Sequence, residues 1–163
     1  MPILEACTAL WPDEAACAAN ARELARHAGL RDAVIELHGT LGAGKTTFVR
    51  HLLRALGVSG HVKSPTYAVV EPYALPGLDI WHFDFYRFDD PQEFEDAGFR
   101  DVFAGPGLKL IEWPERAAGL LPPCDLRIDI DMVDAPASDP DADDTRRRVT
   151  FRAGTPLGAT LMP

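Results

Sequence analysis

A chain of 163 residues with 47% hydrophobic and 25% charged residues has the proportions of one soluble globular domain, able to bury roughly 70% of its unfolded surface without a disulfide or a metal. Its three cysteines, Cys7, Cys17 and Cys124, lack Cys-x-x-Cys spacing, which excludes a disulfide framework and a zinc site. A net charge of −9 opposes binding of DNA or RNA by bulk electrostatics, although five of the acids fall between Asp134 and Thr145 and leave the remainder only mildly acidic.

Pro12 to Gly29 predicts a helix. Pro12 suits a first helical position, Asp13 and Glu14 complement the helix dipole, and Cys17, Ala21, Leu24 and Ala28 recur on one face before Gly29 as a stop. Ala33 to His38 is short, β-branched and apolar, as expected of a buried strand. After a glycine-rich turn, Lys45 to Leu56 returns to helical spacing, with Phe48, Leu52 and Leu56 on one side and Gly57 as terminator. Tyr67–Ala74 and Leu78–Phe85 predict two strands joined at Pro76-Gly77, an antiparallel hairpin. Asp90 to Phe103 is acidic and predicts one or two short helices, Leu108 to Ile111 a strand, and Pro114 to Leu120 a brief helix. Leu126–Met132 and Arg148–Arg152 alternate apolar with charged residues, as in strands with one solvated face where Asp129 or Asp131 sits opposite an Arg. The Asp-, Ala- and Pro-rich stretch 134–145 between them predicts a disordered hairpin loop.

The sharpest local signal is Gly39-Thr40-Leu41-Gly42-Ala43-Gly44-Lys45-Thr46, followed by Thr47. Two glycines spaced for a phosphate loop and followed by Lys-Thr, between a predicted strand and a predicted helix, let backbone N–H groups converge on phosphate oxygens at a helix N-terminus. In that chemistry Lys45 reaches the β- and γ-phosphates and the Thr46 hydroxyl ligates Mg²⁺. An acid at the end of a neighbouring strand completes such a site. Glu112, after Leu108-Lys109-Leu110-Ile111, is favoured as the metal-side carboxylate, and Asp84 is a second ligand or the base that orients water. No Asn-Lys-x-Asp element reads guanine, which favours ATP, and Trp113 beside Glu112 is a candidate to stack near the base. The expected fold is α/β, a P-loop NTPase-like three-layer fold with a mixed sheet ending in an antiparallel pair. Residues 1–154 form a single domain and 155–163 a C-terminal tail.

Four strings in order, Gly39 to Thr46, Ser64-Pro65-Thr66-Tyr67, His82-Phe83-Asp84-Phe85-Tyr86-Arg87 and Ile111-Glu112-Trp113-Pro114, resemble the bacterial TsaE (YjeE) family of P-loop ATPases. The resemblance covers roughly Pro12 to Leu121. It implies a protein that binds ATP with Mg²⁺, hydrolyses it slowly, and supports formation of threonylcarbamoyladenosine beside the tRNA anticodon. It also implies partners: TsaD, which transfers the threonylcarbamoyl group, and TsaB, with tRNA reached through their complex. Carried over, Lys45 and Thr46 meet phosphate and Mg²⁺, Glu112 matches the metal-associated acid, and Asp84 the essential acid of His-x-Asp-x-Tyr-Arg. Thr66 falls in a switch-like segment that senses the γ-phosphate or the metal. His82 reads as a structural strand residue, while Tyr86 and Arg87 face either the nucleotide or a partner.

Two rival readings remain at this stage: a small-molecule kinase on the same ATP site, and a regulatory ATP-binding module. The stretch 89–101, with Arg100 as its only basic residue, makes a poor kinase lid. No run approaches the ~18 apolar residues of a membrane span and no leader pattern opens the sequence. A cytoplasmic location with neither membrane nor DNA as partner is the expectation.

Overall fold

Val34, Ile35 and Leu37 are buried while Glu36 and His38 keep partial access to water. Covered on both faces, the run Val34–His38 therefore forms an interior strand, β2. The computed structural model of the chain describes residues 2–62, 64–65, 67–133 and 146–163. Among them the other strands are β1 (Glu5–Trp11), β3 (Val70–Leu75), β4 (Leu78–Asp84), β5 (Leu108–Glu112), β6 (Leu126–Met132) and β7 (Arg147–Ala153). Together they make a seven-stranded sheet in the order β1-β7-β6-β2-β5-β4-β3. The central neighbours β6, β2, β5 and β4 run parallel, and antiparallel pairings flank them on both sides.

Helices α1 (Glu14–Ala25) and α2 (Lys45–Leu56) pack together on one sheet face. Their buried residues, with Trp11, Ile35, Leu37, Leu110 and Ile128, make the larger core. On the opposite face α3 (Gln92–Asp96) and α4 (Phe99–Ala104) bring Phe94 and Phe99 onto Phe83, Phe85 and Phe88 of the strand and its exit. The result is the expected three-layer α/β arrangement. The acidic stretch 89–101 is thus a cover for the sheet, with its aromatic residues inward.

Four expectations change. The first helix does not run from Pro12 to Gly29: Asp13 is its N-cap, accepting the Ala16 N–H at 3.0 Å, and it ends at Ala25. A 3-10 turn over Ala28–Asp32 follows and buries Leu30. Second, Glu5–Trp11, for which no element is expected, forms β1 along the whole of β7, from Glu5 opposite Ala153 to Trp11 opposite Arg147, and extends the antiparallel edge beyond the β6–β7 pair. Third, Pro114–Ala117 is a single 3-10 turn. Fourth, the segment 155–163 holds α5 (Pro156–Thr160), capped by Thr155 and followed by the buried Leu161. The alternating strands behave as expected: Asp129 is ion-paired with Arg127 at 2.9 Å and with Arg152, and Asp131 sits opposite Arg148. The stretch 134–145 lies outside the described residues.

Candidate functional site: a phosphate loop and its buried acids

The parallel register decides what meets at the carboxyl ends of the strands. Leu37 of β2 is level with Glu112 of β5, and Glu112 is level with Asp84 of β4. Ligands of open α/β sheets bind at this edge. The chain leaves β2 through the glycine turn and enters α2 at Lys45. Gly42 and Gly44 have φ of 81° and 111°, a region that side chains rarely adopt. At Gly39 a Cβ would lie 2.6 Å from the Ile130 carbonyl oxygen, so only glycine lets the loop pass β6 this closely. Ala43 N–H donates to Thr40 O at 3.0 Å, which tightens the turn. Gly44 caps α2 without a side-chain acceptor, and the first amides of a helix have no acceptor within the helix itself.

Lys45 is 5% exposed. Its ammonium donates to Gly39 O and lies 3.6 Å from the centroid of the Trp113 ring. Burial pulls its pKa down, opposed by Glu112, Glu115 and Asp84. Thr46 Oγ1 donates to Glu112 Oε1 at 2.8 Å, and His82 Nε2 donates to Glu112 Oε2 at 2.6 Å. Asp84 accepts the Tyr86 N–H at 2.9 Å, and its own N–H donates to Val69 O. Burial pushes the Asp84 carboxyl above its usual range; the Tyr86 bond opposes this, the Glu112 charge adds to it, and His82 and Lys45 oppose it.

Two clefts share the loop backbone. One, of about 290 Å³, is lined by Leu41 to Thr47, Ser64, Asp84, Tyr86, Glu112 and Trp113. The other, of about 170 Å³, lies between Trp11, Asp13, Glu14, Cys17, Gly42 to Gly44, Thr47 and Arg147. Arg147 Nε donates to Ala43 O at 2.7 Å, bracing the loop from β7. Trp11 stacks on Phe48 with ring centroids 5.6 Å apart.

The structure therefore gathers Lys45, Thr46, Asp84, Glu112 and Trp113 in one cleft, with Leu41 70% exposed at its rim. Trp113, expected near a base, stands beside the Lys45 ammonium, in a left-handed conformation (φ 56°) that is strained for a bulky residue. Thr40 serves the turn through its carbonyl, and Thr47 borders both clefts. Thr66 lies outside the described residues. Arg87 is stacked over the Tyr67 ring at 4.4 Å and is not among the cleft's lining residues. Sequence reasoning missed Trp11 and Arg147; the Arg146-Arg147-Arg148 run was the one available signal for the latter.

The donor set fits Mg²⁺ held jointly with a ligand's phosphates. Thr46, Glu112 and Asp84 supply hard oxygen donors, and Mg²⁺ is typically bound by one or two carboxylates plus phosphate oxygens and water. Among the described residues no group of three or more His, Cys, Asp or Glu side chains closes on a metal by itself.

A parallel strand feeding a glycine turn, a helix opening on Lys-Thr, and carboxylates at the ends of adjacent strands define a P-loop protein of the α/β class. Residues 11–139 match the family described as threonylcarbamoyl adenosine biosynthesis protein TsaE. The chain belongs to the TsaE family. A Haemophilus influenzae protein named tRNA threonylcarbamoyladenosine biosynthesis protein TsaE is 48% identical over 101 residues, covering 62% of this chain and 64% of that protein. The match thus spans less than two thirds of that relative's length. A Bacillus subtilis protein of the same name is 38% identical over 120 residues, covering 74% of this chain and 69% of its own. The crystal structure of YdiB from Bacillus subtilis superposes with a TM-score of 0.76 at 26% identity, over 99% of this chain and 94% of that one. Among the described residues no helix is long and apolar enough to cross a membrane.

Proposed function

We propose that this chain binds ATP with Mg²⁺, hydrolyses it slowly, and thereby supports threonylcarbamoyl transfer to the adenosine beside the tRNA anticodon by a TsaB–TsaD complex. The observation that carries the reading is the meeting of Thr46 Oγ1 and Glu112 Oε1 at 2.8 Å beside the phosphate loop. The family and its named relatives supply the biological context.

The triphosphate lies along the amides of residues 42–46, with Lys45 moving from Gly39 O to the β- and γ-phosphates. Adenine and ribose take the cleft between Trp11 and Arg147. Thr46 and Glu112 would hold Mg²⁺, with Asp84 lining the same cleft. A divalent cation held there would supply neutralisation of charge on the phosphates. Asp84 orients the attacking water, and its raised pKa suits a proton acceptor. Such a site works by positioning and charge rather than by covalent chemistry.

The test measures ADP and phosphate release by the purified chain, alone and with TsaB and TsaD, while modified tRNA is scored over many turnovers, with Lys45→Ala as control. Slow release that rises with the partners, and modification that needs Lys45, is the expected result. A phosphorylated acceptor in place of free phosphate would make the chain a kinase. Modification that proceeds equally well with Lys45→Ala would refute the reading.

A further inference from the structure

We propose that His82 is a positioning residue for Glu112, fixing the carboxylate so that Oε1 faces Thr46 and the cation that accompanies a nucleoside triphosphate. This deepens the proposed ATPase reading and rests on it. His82 lies on β4, on the same side as Ile80 and Asp84, while Phe83 and Phe85 turn to the opposite core. It is opposite Leu110 in the register, two residue pairs behind Asp84 and Glu112. From there Nε2 reaches Glu112 Oε2 at 2.6 Å, while Thr46 on α2 holds Oε1 at 2.8 Å. Each carboxylate oxygen thus has its own partner from a different element, and the plane of the group is fixed at two points.

The other ring nitrogen gives the argument its force. His82 is fully buried, and Nδ1 has no hydrogen-bond partner among the described residues. A side chain needed only for packing would be better served here by a leucine or phenylalanine, like its strand neighbours Ile80 and Phe83, because a buried unpaired nitrogen destabilises. Among the described residues the imidazole's one hydrogen bond goes to Glu112. Partners that orient a metal-holding group from behind typically change metal affinity or activity about 10–100-fold when removed.

The test compares His82→Gln, which keeps an N–H at the reach of Nε2, with His82→Asn, which is too short, and His82→Leu, which has none. Three quantities are read: ADP affinity without metal, the Mg²⁺ concentration giving half-maximal ATP binding, and kcat and KM for MgATP. The expected result for Leu and Asn is unchanged metal-free ADP binding, a Mg²⁺ requirement raised about 10–100-fold, and a kcat reduced to a similar degree with little change in KM. Gln should lie within about threefold of the parent chain. The Gln–Asn comparison decides the matter if Leu does not fold. Folded Leu or Asn variants with the parent's Mg²⁺ dependence and kcat would overturn the inference, as would a Gln variant as impaired as Asn. A parent chain whose ATP binding ignores Mg²⁺ would instead overturn the ATPase reading beneath it.

Discussion

Gly158→Ala tests whether the last nine residues are part of the domain. A Cβ at Gly158 would lie 1.6 Å from the backbone oxygen of Asp125, whereas real Cβ atoms stay beyond 3.0 Å, so α5 or the β6 entry must move by about 1.4 Å. Asp125 has little freedom to move. Its carboxylate accepts the Val34 N–H at 2.7 Å and the Thr155 hydroxyl at 2.7 Å, and its N–H donates to Val34 O, tying α5 to the first residue of β2. Forcing the methyl in costs about 1–3 kcal/mol of overpacking. Lifting α5 away exposes Leu161, worth about 1.5–3 kcal/mol, and breaks the Thr155 bond, about 1 kcal/mol more. The first route thus costs about 1–3 kcal/mol and the second about 2.5–4 kcal/mol; the cheaper one, for a domain of this size, lowers Tm by about 2–12 °C. A thermal melt followed by circular dichroism reads this directly. A Tm within about 2 °C of the parent would refute the packing of α5 against Asp125.

Glu112→Gln cannot accept from both Thr46 and His82; phosphate release should fall about 100-fold, while a melt shifts little because the cost of burying a carboxylate is also removed. Arg147→Ala frees the Ala43 carbonyl, and loss of a charged hydrogen bond predicts nucleotide binding about tenfold weaker in a titration. Asp129 is partly desolvated, which raises its pKa, but the Arg127 bond and the charges of Arg127 and Arg152 outweigh this and leave it below its ordinary 3.8. The stability it contributes is therefore complete above that ordinary value and is lost as pH falls through the lowered one; Asp129→Asn should flatten the dependence of Tm on pH in this acid range. Burial pushes the Cys17 and Cys124 thiols up to about 12, whereas Cys7 on β1 is only partly covered. A disulfide reagent at pH 8 should modify Cys7 first and reach the other two only on unfolding, as mass spectrometry of the labelled peptides would show.

Local signals carried α2 and the glycine turn, because spacing alone dictates both: Gly42 and Gly44 at positive φ, then an apolar stripe of Phe48 and Leu52. Strand β1 had no such signal. Glu5 to Trp11 is rich in alanine and polar residues, and it extends because β7 offers it a full-length edge, with Thr8 and Thr150 side by side. Gly29 misled for a related reason. Its missing Cβ makes room for Leu157 Cδ1, which a Cβ would meet at 2.7 Å, so the glycine answers to α5 from the other end of the chain. In the site the motif strings named Lys45, Thr46, Asp84, Glu112 and Trp113. What they could not show was that one carboxylate joins Thr46 to His82, since this depends on the register of β4 on β5. Arg147 was hidden by the same kind of distance: 104 residues separate it from the Ala43 carbonyl it braces.

The sign of charge around the phosphate loop links this architecture to the proposed chemistry. Among the residues lining the larger cleft, the ammonium of Lys45 faces the carboxylates of Asp84 and Glu112, in a chain whose net charge is −9. A triphosphate entering alone adds negative charge beside two buried acids, and low-dielectric surroundings magnify that repulsion. Loop amides and the α2 N-terminus offset part of it. In the proposed reading the carboxylates become favourable only when a divalent cation arrives with the nucleotide, so the acids that oppose a bare phosphate chain would select for the metal-bound one. Trp113 holds the Lys45 ammonium over its ring, and in the proposed reading a phosphate would replace Gly39 O as its partner. The strained backbone at Trp113 follows from this: a left-handed turn directly after Glu112 sets the indole beside Lys45 while leaving the carboxylate buried at the strand end.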